Sequence, residues 1–390
     1  MSIQFSKRME AFAPSIFSEL KAYKLQKQAE GKEIIDLSLG SPDLAPADPI
    51  REELSKQAAD KDQYGYTLSG TKEFHQAVAD YYGRVYHAKL DPDTEIIQVM
   101  GSQEGLVHLP MVFADSGDTI LVTDPGYTAY ETGLAVAGAK PYYMPLLKEN
   151  GFLPDLASLP ETVAKEAKLM IINYPGNPVP GLADESFFKE VISFAKKYNI
   201  AVLHDAAYSE FYFDGRSPLS FLAVEGAKEI GMEINSLSKS FSLAGARIAY
   251  IAGNSEMIQK IGQLKSNLDY GVFQPIQAAG IVALNHAEVI GEFVRTTFEE
   301  RRNVLIEELA KVGWHVDKPS GGMFVWAQIP EGWSSREFAF AAIDHAGVVM
   351  VPGPAFGANG EGYVRIALVQ PAEVLKTAAK RLGAVVSIKP

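Results

Sequence analysis

Residues 236–247 read Ser236-Leu-Ser-Lys239-Ser-Phe-Ser-Leu-Ala-Gly-Ala-Arg247 and directly follow the strand-like run Met232-Glu-Ile-Asn. The stretch places one lysine between two hydroxyl side chains, with an arginine eight positions later. A lysine in this setting can form an imine with an aldehyde. Hydroxyl groups and a guanidinium beside it can bind a phosphate. The stretch therefore predicts a site for a ligand that carries both an aldehyde and a phosphate.

Pyridoxal 5'-phosphate is a common cofactor with these two groups, and a lysine joined to it through an imine is its usual mark in a protein. Lys239 is the candidate for the imine, and Ser236, Ser238 and Arg247 are the candidates for the phosphate. Taken alone, the stretch also fits an exposed lysine in a serine-rich loop. The other ligands of the cofactor have to be found elsewhere in the chain.

The composition is that of a globular enzyme. A chain of 390 residues predicts two domains, and the net charge of −12, without a basic run, argues against nucleic acid or an anionic membrane as partner. The chain has no cysteine, which excludes disulfides, thiolate metal sites and a cysteine nucleophile, and we expect no metal centre. The first eight residues lack the apolar stretch of a signal peptide, and no apolar run is long enough to cross a membrane. We expect a cytoplasmic enzyme.

Short apolar runs alternate with amphipathic helical segments from about residue 95. Runs without polar alternation are typical of strands buried on both faces of a largely parallel sheet. The pattern predicts an α/β domain with a mostly parallel seven-stranded sheet covered by helices. The runs are Ile96–Met100, Thr119–Thr123, Pro141–Met144, Leu169–Ile172, Ala201–Leu203, Ile234–Leu237 and Ile248–Ile251.

A second, smaller α+β domain is predicted from the two ends of the chain. A first helix over 15–30 and a strand over 34–37 precede the alternating region. After about residue 254 helical patterns dominate, with a long helix over 288–312. Three strands at 323–328, 348–351 and 363–368 and a final helix from residue 371 complete the pattern.

We predict the domain bounds from these patterns. The prediction is an N-terminal arm over 1–14, a small α+β domain over 15–45 and 290–390, and a large cofactor-binding α/β domain over 46–289.

Polar residues follow five of the predicted strands at the point where each strand ends. Ligands of open α/β sheets bind beyond the carboxyl ends of the strands, so a series of polar groups at those ends predicts one shared site. The segments are Gly101-Ser-Gln103, Asp124-Pro-Gly-Tyr127, Asn173-Tyr-Pro-Gly-Asn177, Asp205-Ala-Ala-Tyr208 and Ser236-Leu-Ser-Lys239.

The residue types in these segments match the atoms of the cofactor ring. Asp205 is the candidate partner of the pyridine nitrogen, because a buried carboxylate favours the protonated form of that nitrogen. Asn177 and Tyr208 are candidate donors to the phenolate oxygen, and Tyr127 is a candidate to stack on the ring. Each of these residues alone also fits a turn, cap or core position. His204, beside Asp205, is more simply explained as a histidine of the core.

Two further groups complete the predicted site. Ser102 and Gln103 begin a helical pattern, so their backbone N–H groups can face the phosphate. Arg365 lies inside the apolar strand Gly362-Tyr-Val-Arg-Ile-Ala-Leu, where an unpaired guanidinium is costly. Arg365 therefore either pairs with a buried carboxylate of the protein or binds the carboxylate of an amino-acid substrate, and we favour the substrate.

With these residues in this order, the chain resembles the class I and II pyridoxal-phosphate aminotransferases of fold type I. The resemblance begins near residue 10 and runs to the last helix, and it is closest to the branch of LL-diaminopimelate, aspartate and alanine aminotransferases. One departure is Asn177-Pro-Val-Pro-Gly, where Asn-Pro-Thr-Gly is typical. The segments that carry the branch resemblance are Gly101-Ser-Gln-Glu-Gly, Asn150-Gly-Phe-Leu-Pro-Asp, His204-Asp-Ala-Ala-Tyr-Ser-Glu and Asn235-Ser-Leu-Ser-Lys-Ser.

The resemblance implies the catalytic set Lys239, Asp205 and Tyr208. Arg365 binds the substrate α-carboxylate, with help from Asn177 and from the backbone around Gly40. These expectations imply an amino acid and a 2-oxo acid as the small-molecule partners of the chain.

The resemblance also implies a homodimer with shared active sites. A tyrosine matching Tyr64 or Tyr66, and an asparagine matching Asn267, reach the cofactor of the partner subunit. We expect Tyr64 to be one of the cofactor-binding residues.

The implied reaction is a ping-pong transfer of an amino group from an L-amino acid, such as aspartate, alanine or LL-diaminopimelate, to a 2-oxo acid, with 2-oxoglutarate expected. A carbon–sulfur lyase on the same scaffold is the alternative. A non-catalytic regulator that binds the cofactor is disfavoured, because such proteins carry an added DNA-binding domain and the resemblance leaves no room for one. An unrelated nucleotide-binding enzyme is disfavoured by the lack of a glycine-rich phosphate fingerprint after the first sheet strand.

Overall fold

The computed structural model describes residues 3–12 and 15–388. Part of the predicted N-terminal arm (residues 1–2 and 13–14) and the last two residues of the predicted small domain lie outside the described residues. In chain order the strands are β1 (Ile35–Asp36), β2 (Ile96–Val99), β3 (Thr119–Asp124), β4 (Lys140–Pro145), β5 (Ala167–Asn173), β6 (Ala201–Asp205), β7 (Gly231–Ser236), β8 (Ala249–Gly253), β9 (Phe324–Gln328), β10 (Val348–Val349), β11 (Val351–Pro352) and β12 (Tyr363–Ala367).

Helices connect most of these strands. The α-helices are α1 (Ile16–Ala29), α2 (Asp48–Ala58), α3 (Lys72–Tyr81), α4 (Ser102–His108), α5 (Pro110–Phe113), α6 (Thr128–Ala137), α7 (Glu161–Glu166), α8 (Glu185–Tyr198), α9 (Ala227–Ile230), α10 (Leu237–Ser240), α11 (Ser255–Lys265), α12 (Gln274–Asn285), α13 (Ala287–Lys311), α14 (Ser335–Ala341) and α15 (Ala372–Val386). One π-helical turn follows α3 over Tyr82–Tyr86 and another follows α14 over Ala342–Ala346. Short 3-10 helices occupy Lys7–Phe12, Lys61–Gln63, Lys148–Asn150, Leu156–Ser158, Phe221–Ala223, Ala244–Ala246, Gly353–Phe356 and Ala358–Gly360.

The seven predicted strands form one sheet in the order β2-β8-β7-β6-β5-β3-β4. All neighbours in it are parallel except β8, which is antiparallel to both β2 and β7. The prediction of a mostly parallel α/β sheet is therefore confirmed.

Helices cover both faces of this sheet. Successive residues of a strand point to opposite faces, and along β5 Leu169 and Ile171 join one hydrophobic cluster whereas Met170 and Ile172 join the other. Helix α8 packs on one face through Phe187 and Val191. The double cover explains why these strands lack a polar alternation in the sequence.

Another hydrophobic cluster surrounds the smaller sheets. Strands β11, β12 and β9 form an antiparallel sheet, and β1 pairs with β10 in parallel. Helices α13 and α15 pack on them through Val294, Phe298, Leu375 and Leu382. Among the described residues, no helix combines the length and apolar character needed to cross a membrane.

The prediction of one continuous strand over 348–351 is wrong. The segment forms two short strands instead. It divides at Met350, because β10 pairs with β1 whereas β11 pairs with β12. Helix α13 begins at Ala287 and passes the predicted bound at residue 290. The domain bounds themselves stay a prediction.

The sheet brings the polar strand ends to one edge. Strands β3, β5, β6 and β7 are parallel and end at Asp124, Asn173, Asp205 and Ser236. Strand β2 has the same direction as β7, because both are antiparallel to β8. The start of α4 at Ser102 therefore lies at the same edge.

Helix α8 offers a test of local stability. The Asp184 carboxylate accepts a hydrogen bond from the Phe187 N–H at 2.8 Å, which caps the first turn. We expect Asp184→Ala to lower the free energy of unfolding by about 1 kcal/mol, measured by urea denaturation. Ser15→Ala is the control, since Ser15 precedes α1 without a side-chain cap bond. Equal losses in both variants would contradict the capping role.

Candidate active site

A cavity of about 350 Å³ lies at the carboxyl edge of the large sheet. Residues of the small sheets and of α1 close it from the other side. Eleven of the predicted site residues line this cavity, namely Gly40, Ser102, Gln103, Tyr127, Asn177, Asp205, Tyr208, Ser238, Lys239, Arg247 and Arg365.

Lys239 lies in α10, immediately after β7, and its side chain is half-buried. Its ammonium group donates to the carbonyl oxygen of Gly40. Burial lowers the pKa of Lys239 to about 8, and the positive charges of Arg365 and Arg247 add to this, while Asp205 acts in the opposite direction. Lys239 therefore exists partly as the neutral, nucleophilic amine near neutral pH.

Asp205 is the last residue of β6 and is 3% exposed. Its carboxylate accepts a hydrogen bond from the hydroxyl of Tyr130 at 2.9 Å and another from the N–H of Ala207 at 3.1 Å. Burial raises the pKa of Asp205, and these two hydrogen bonds act in the opposite direction. The site thus holds one buried carboxylate whose ionised form is supported by two donors.

Three aromatic or amide side chains surround this carboxylate. Burial raises the pKa of Tyr208, whereas a hydrogen bond with the Asn177 side chain acts to lower it. The ring of Tyr127 contacts that of Tyr130 edge-on, with 5.9 Å between centroids. Asn177, Tyr127 and Tyr208 all face the cavity, as predicted.

Backbone N–H groups and a guanidinium meet at one end of the cavity. Helix α4 begins with Ser102, and Gly101 before it has a φ of 80°. A Cβ atom at Gly101 would overlap the guanidinium of Arg247. The chain thus keeps the start of the helix open for an anion beside Arg247.

Arg365 is 4% exposed and belongs to β12. Its guanidinium donates to Oδ1 of Asn177 at 2.6 Å and to the carbonyl oxygen of Ser38 at 2.6 Å, and Nε has no partner in the part of the chain that the structure describes. Burial lowers the pKa of Arg365 to about 10. Within residues 3–12 and 15–388 no carboxylate forms an ion pair with it.

Four predicted site residues do not line the cavity, namely Ser236, Tyr64, Tyr66 and Asn267. The hydroxyl of Ser236 accepts from the Ser238 N–H at 3.2 Å and caps α10, so the structure does not place it on the cavity wall. Tyr64 is 64% exposed and its hydroxyl donates to the Ala58 carbonyl. Tyr66 is 83% exposed, and Asn267 is also exposed.

Sequence reasoning missed several residues of the wall. Asn173 lies in the segment that ends at Asn177, and Ser38 and Leu39 directly precede Gly40, so their positions next to candidate residues were a signal. Phe17 and Phe356 come from distant parts of the chain and carry no local signal. Phe17, Leu39 and Phe356 form an apolar wall, in which Phe17 contacts Phe356 edge-on at 5.6 Å.

The charges of the cavity wall define the ligand chemistry. Among the lining residues, three are cationic and one is acidic. An unpartnered buried guanidinium nitrogen and a helix start open beside Arg247 both favour anionic groups. A nucleophilic lysine lies between these cations and one buried carboxylate. This donor set fits a ligand with an aldehyde, a phosphate and a ring nitrogen, together with a substrate carboxylate.

Comparison with known proteins agrees with this chemistry. The family described as aminotransferase class I and II matches residues 32–382. LL-diaminopimelate aminotransferase of Moorella thermoacetica is 41% identical over 97% of this chain and 98% of its own, and that of Aquifex aeolicus is 42% identical over 97% and 98%.

Solved structures agree as well. The substrate-bound structure of BacF from Bacillus subtilis superposes with a TM-score of 0.95 and 35% identity, over 99% of this chain and 98% of its own. The match extends over nearly the whole of both chains.

The families concerned depend on pyridoxal phosphate, and the residues around Lys239 fit that cofactor. The chain therefore belongs to the class I and II aminotransferases of fold type I and is a pyridoxal-phosphate-dependent amino-acid aminotransferase.

Proposed function

We propose that this enzyme transfers the amino group of an L-amino acid to 2-oxoglutarate in a ping-pong cycle. The observation that carries the proposal is that the Lys239 amine and the Arg365 guanidinium open into one cavity. One group can then exchange a proton with the α-carbon of a substrate while the other binds its α-carboxylate. Both half-reactions need the same two groups, since amino acid and oxo acid share the carboxylate.

The cofactor-binding roles follow from the positions of the side chains. When bound, pyridoxal phosphate supplies an aldehyde carbon that bonds to amines and a ring that accepts electrons. The Ser102 and Gln103 N–H groups, the Ser238 hydroxyl and Arg247 hold the phosphate. Ser236 supports these contacts, because its hydroxyl accepts a hydrogen bond from the Ser238 N–H.

The ring-binding roles fall to the residues at the ends of β3, β5 and β6. Asp205 holds a proton at the ring nitrogen, and Tyr127 covers one face of the ring. Asn177 and Tyr208 donate to the phenolate oxygen. The buried position of Asp205 supports this role, because a charged carboxylate in a dry site strongly favours a cationic partner.

Lys239 also acts as the general base. Its lowered pKa keeps part of the amine neutral near neutral pH, so it can take up the α-proton of a bound substrate. Arg365 fixes the carboxylate and thereby the direction of the α C–H bond, which favours loss of that proton over loss of carbon dioxide.

Aspartate, alanine and LL-diaminopimelate are the proposed donors. The relatives from Moorella thermoacetica and Aquifex aeolicus are named LL-diaminopimelate aminotransferase, which supports the third. The apolar wall of Phe17, Leu39 and Phe356 supports alanine, because it offers no charge to a donor side chain.

A homodimer with shared sites is proposed as well. Tyr64 and Tyr66 contact the exposed rings of Phe273 and Tyr270, with centroids 5.1 and 5.0 Å apart. Exposed aromatic rings of this kind mark contact surfaces. We further propose the large domain over 46–289 and the small domain over 15–45 and 290–390, and a cytoplasmic location stays a prediction from the sequence.

A donor screen tests the reaction. The holoenzyme is mixed with 2-oxoglutarate and aspartate, alanine, methionine or LL-diaminopimelate, and glutamate formation is measured. We expect turnover with at least one donor and none with Lys239→Ala, while the exposed-lysine control Lys260→Ala retains it. Pyruvate and ammonia released from a cysteine conjugate without an oxo acid would identify a carbon–sulfur lyase instead.

The lowered pKa of Lys239 has a measurable consequence. Only the neutral amine attacks an aldehyde, so capture of pyridoxal phosphate by the cofactor-free protein should rise about tenfold per pH unit below pH 8 and level off above it. Stopped-flow absorbance between pH 7 and 9.5 measures this rate. A rate that continues to rise up to pH 9.5 would show an ordinary lysine pKa.

Replacement of Arg365 tests carboxylate binding. We expect Arg365→Ala to lower kcat/KM for amino and oxo acids alike by roughly a hundredfold, because two charged hydrogen bonds to the carboxylate are lost. Arg365→Lys should recover little, since a lysine lacks the planar fork. Arg381→Ala, at an exposed pair with Glu33, is the control. Unchanged kcat/KM in Arg365→Ala would refute the role.

A further inference from the structure

The mechanism above leaves His204 without a role, although it is 1% exposed and precedes Asp205 on β6. Neighbouring residues of a strand point to opposite faces of the sheet, so the imidazole lies on the face away from Asp205. Its ring packs edge-on against Phe188 at 5.1 Å and lies 6.3 Å from Phe221. A polar ring in such a dry place needs partners for both nitrogens.

Both ring nitrogens have acceptor partners. Nε2 lies 3.0 Å from the carbonyl oxygen of Tyr174, and Nδ1 lies 2.8 Å from Oε2 of Glu233. A carbonyl oxygen only accepts hydrogen bonds, so Nε2 carries a proton. The protonation of Nδ1 therefore depends on whether Glu233 is ionised.

Glu233 is fully buried on β7, in register with His204. Three other hydrogen-bond donors determine whether its side chain is ionised. The hydroxyl of Tyr82 donates at 2.6 Å and the N–H of Phe221 at 2.9 Å. The Ser220 hydroxyl lies at 3.1 Å and accepts from the Leu222 N–H, so its own proton points to Glu233. Hydrogen bonds to both oxygens favour the carboxylate.

An ionised Glu233 can only accept from Nδ1, so the His204 ring carries protons on both nitrogens. The two residues then form a buried ion pair in which every hydrogen-bonding atom has a partner. Such a pair contributes little to net stability compared with apolar residues of the same size.

The loop over residues 173–177 leads into the active site, and His204 contacts it at the carbonyl oxygen of Tyr174. Tyr174 lies between Asn173 and Asn177, and the Asn173 side chain donates to the Asp205 carbonyl at 2.7 Å. The same side chain accepts from the Asn177 N–H at 2.8 Å, and Asn177 accepts from Arg365. The loop is thus fixed by His204 at Tyr174 and by Asn173 at Asp205.

The charge of His204 acts on Asp205 as well. Burial raises the pKa of Asp205, and the positive charge of the neighbouring His204 acts to lower it, together with the hydrogen bonds from Ala207 and Tyr130. A cationic ring behind the strand therefore helps to keep the carboxylate ionised.

We propose that His204, charged through its pairing with Glu233, is a positioning residue for amino transfer, which holds the 173–177 loop and thereby Asn177 against Arg365. The effect on rate rests on the proposed function, whereas the charge state of the ring does not.

Nitrogen NMR of protein labelled with ¹⁵N-histidine tests the charge state. The chain has seven histidines, and His204→Gln assigns the signal. We expect both ring nitrogens of His204 to carry protons, because Nε2 faces the Tyr174 carbonyl and Nδ1 faces the Glu233 carboxylate. One unprotonated ring nitrogen in the wild-type spectrum would overturn the proposal, whether or not the enzyme transfers amino groups.

Steady-state kinetics of the double variant His204→Phe/Glu233→Gln test the positioning role. The phenyl ring keeps the volume between Phe188 and Phe221, and the glutamine leaves no unpaired charge. We expect kcat/KM for the amino donor to fall by about ten- to a hundredfold, with a raised KM and a smaller loss of cofactor affinity, because Ser102, Ser238 and Arg247 lie outside the loop.

General loosening of the fold would weaken cofactor binding as much as substrate binding, so the relative losses in the two constants separate positioning from a structural role. His204→Gln should recover part of the loss, because its amide can donate to Tyr174. Tyr81→Phe is the control: Tyr81 lies on the helix before Tyr82 but donates to Glu210 instead, and we expect its kcat/KM to stay within about twofold of wild type.

A folded double variant with wild-type kcat/KM would overturn the positioning role. If the double variant fails to fold, His204→Phe alone decides between the outcomes, since Tyr82, Ser220 and Phe221 still donate to Glu233 in it and wild-type constants would equally overturn the positioning role.

Discussion

A buried guanidinium without a carboxylate partner is the constraint on which the site depends. Arg365 comes from the small antiparallel sheet, but its hydrogen bonds go to Asn177 at the edge of the large sheet and to the Ser38 carbonyl. Desolvation of a cation is costly unless its donors are satisfied, and Nε is left without a partner among the described residues. The site therefore favours binding of an anion at Arg365. The same two hydrogen bonds connect the small antiparallel sheet to the edge of the large sheet.

The positive charge at Arg365 has a second effect within the same cavity. Together with burial and Arg247 it lowers the pKa of Lys239. A single cation thus serves recognition and reactivity, because it attracts a carboxylate and also favours the neutral amine. When a carboxylate binds, it compensates the charge that depresses the lysine pKa, so substrate binding and basicity of the amine are coupled.

The sequence predicted the large sheet well because its signals are local. Apolar runs without alternation identified all seven strands, and eight of the eleven predicted residues on the cavity wall follow the ends of these strands. Arg247 and Arg365 were identified as single cations, and Gly40 only through the family resemblance. The role of Ser236 could not be predicted, since a serine before a short helix can equally cap it. The division of the strand at Met350 depends on pairing with β1, more than 300 residues earlier in the chain, and no local pattern encodes it. The contact of Phe17 with Phe356 could not be predicted from the sequence either, because these residues are also far apart in the chain.

The order of the site residues along the chain has a consequence for biosynthesis. Gly40 contacts Lys239 and Arg365 lines the same cavity, although more than 300 residues of the chain separate the two. A nascent chain that has emerged only as far as β8 contains the lysine and Asp205 without the guanidinium that completes the cavity. Binding of pyridoxal phosphate in its final environment is therefore a late event, which has to await release of the last strands from the ribosome.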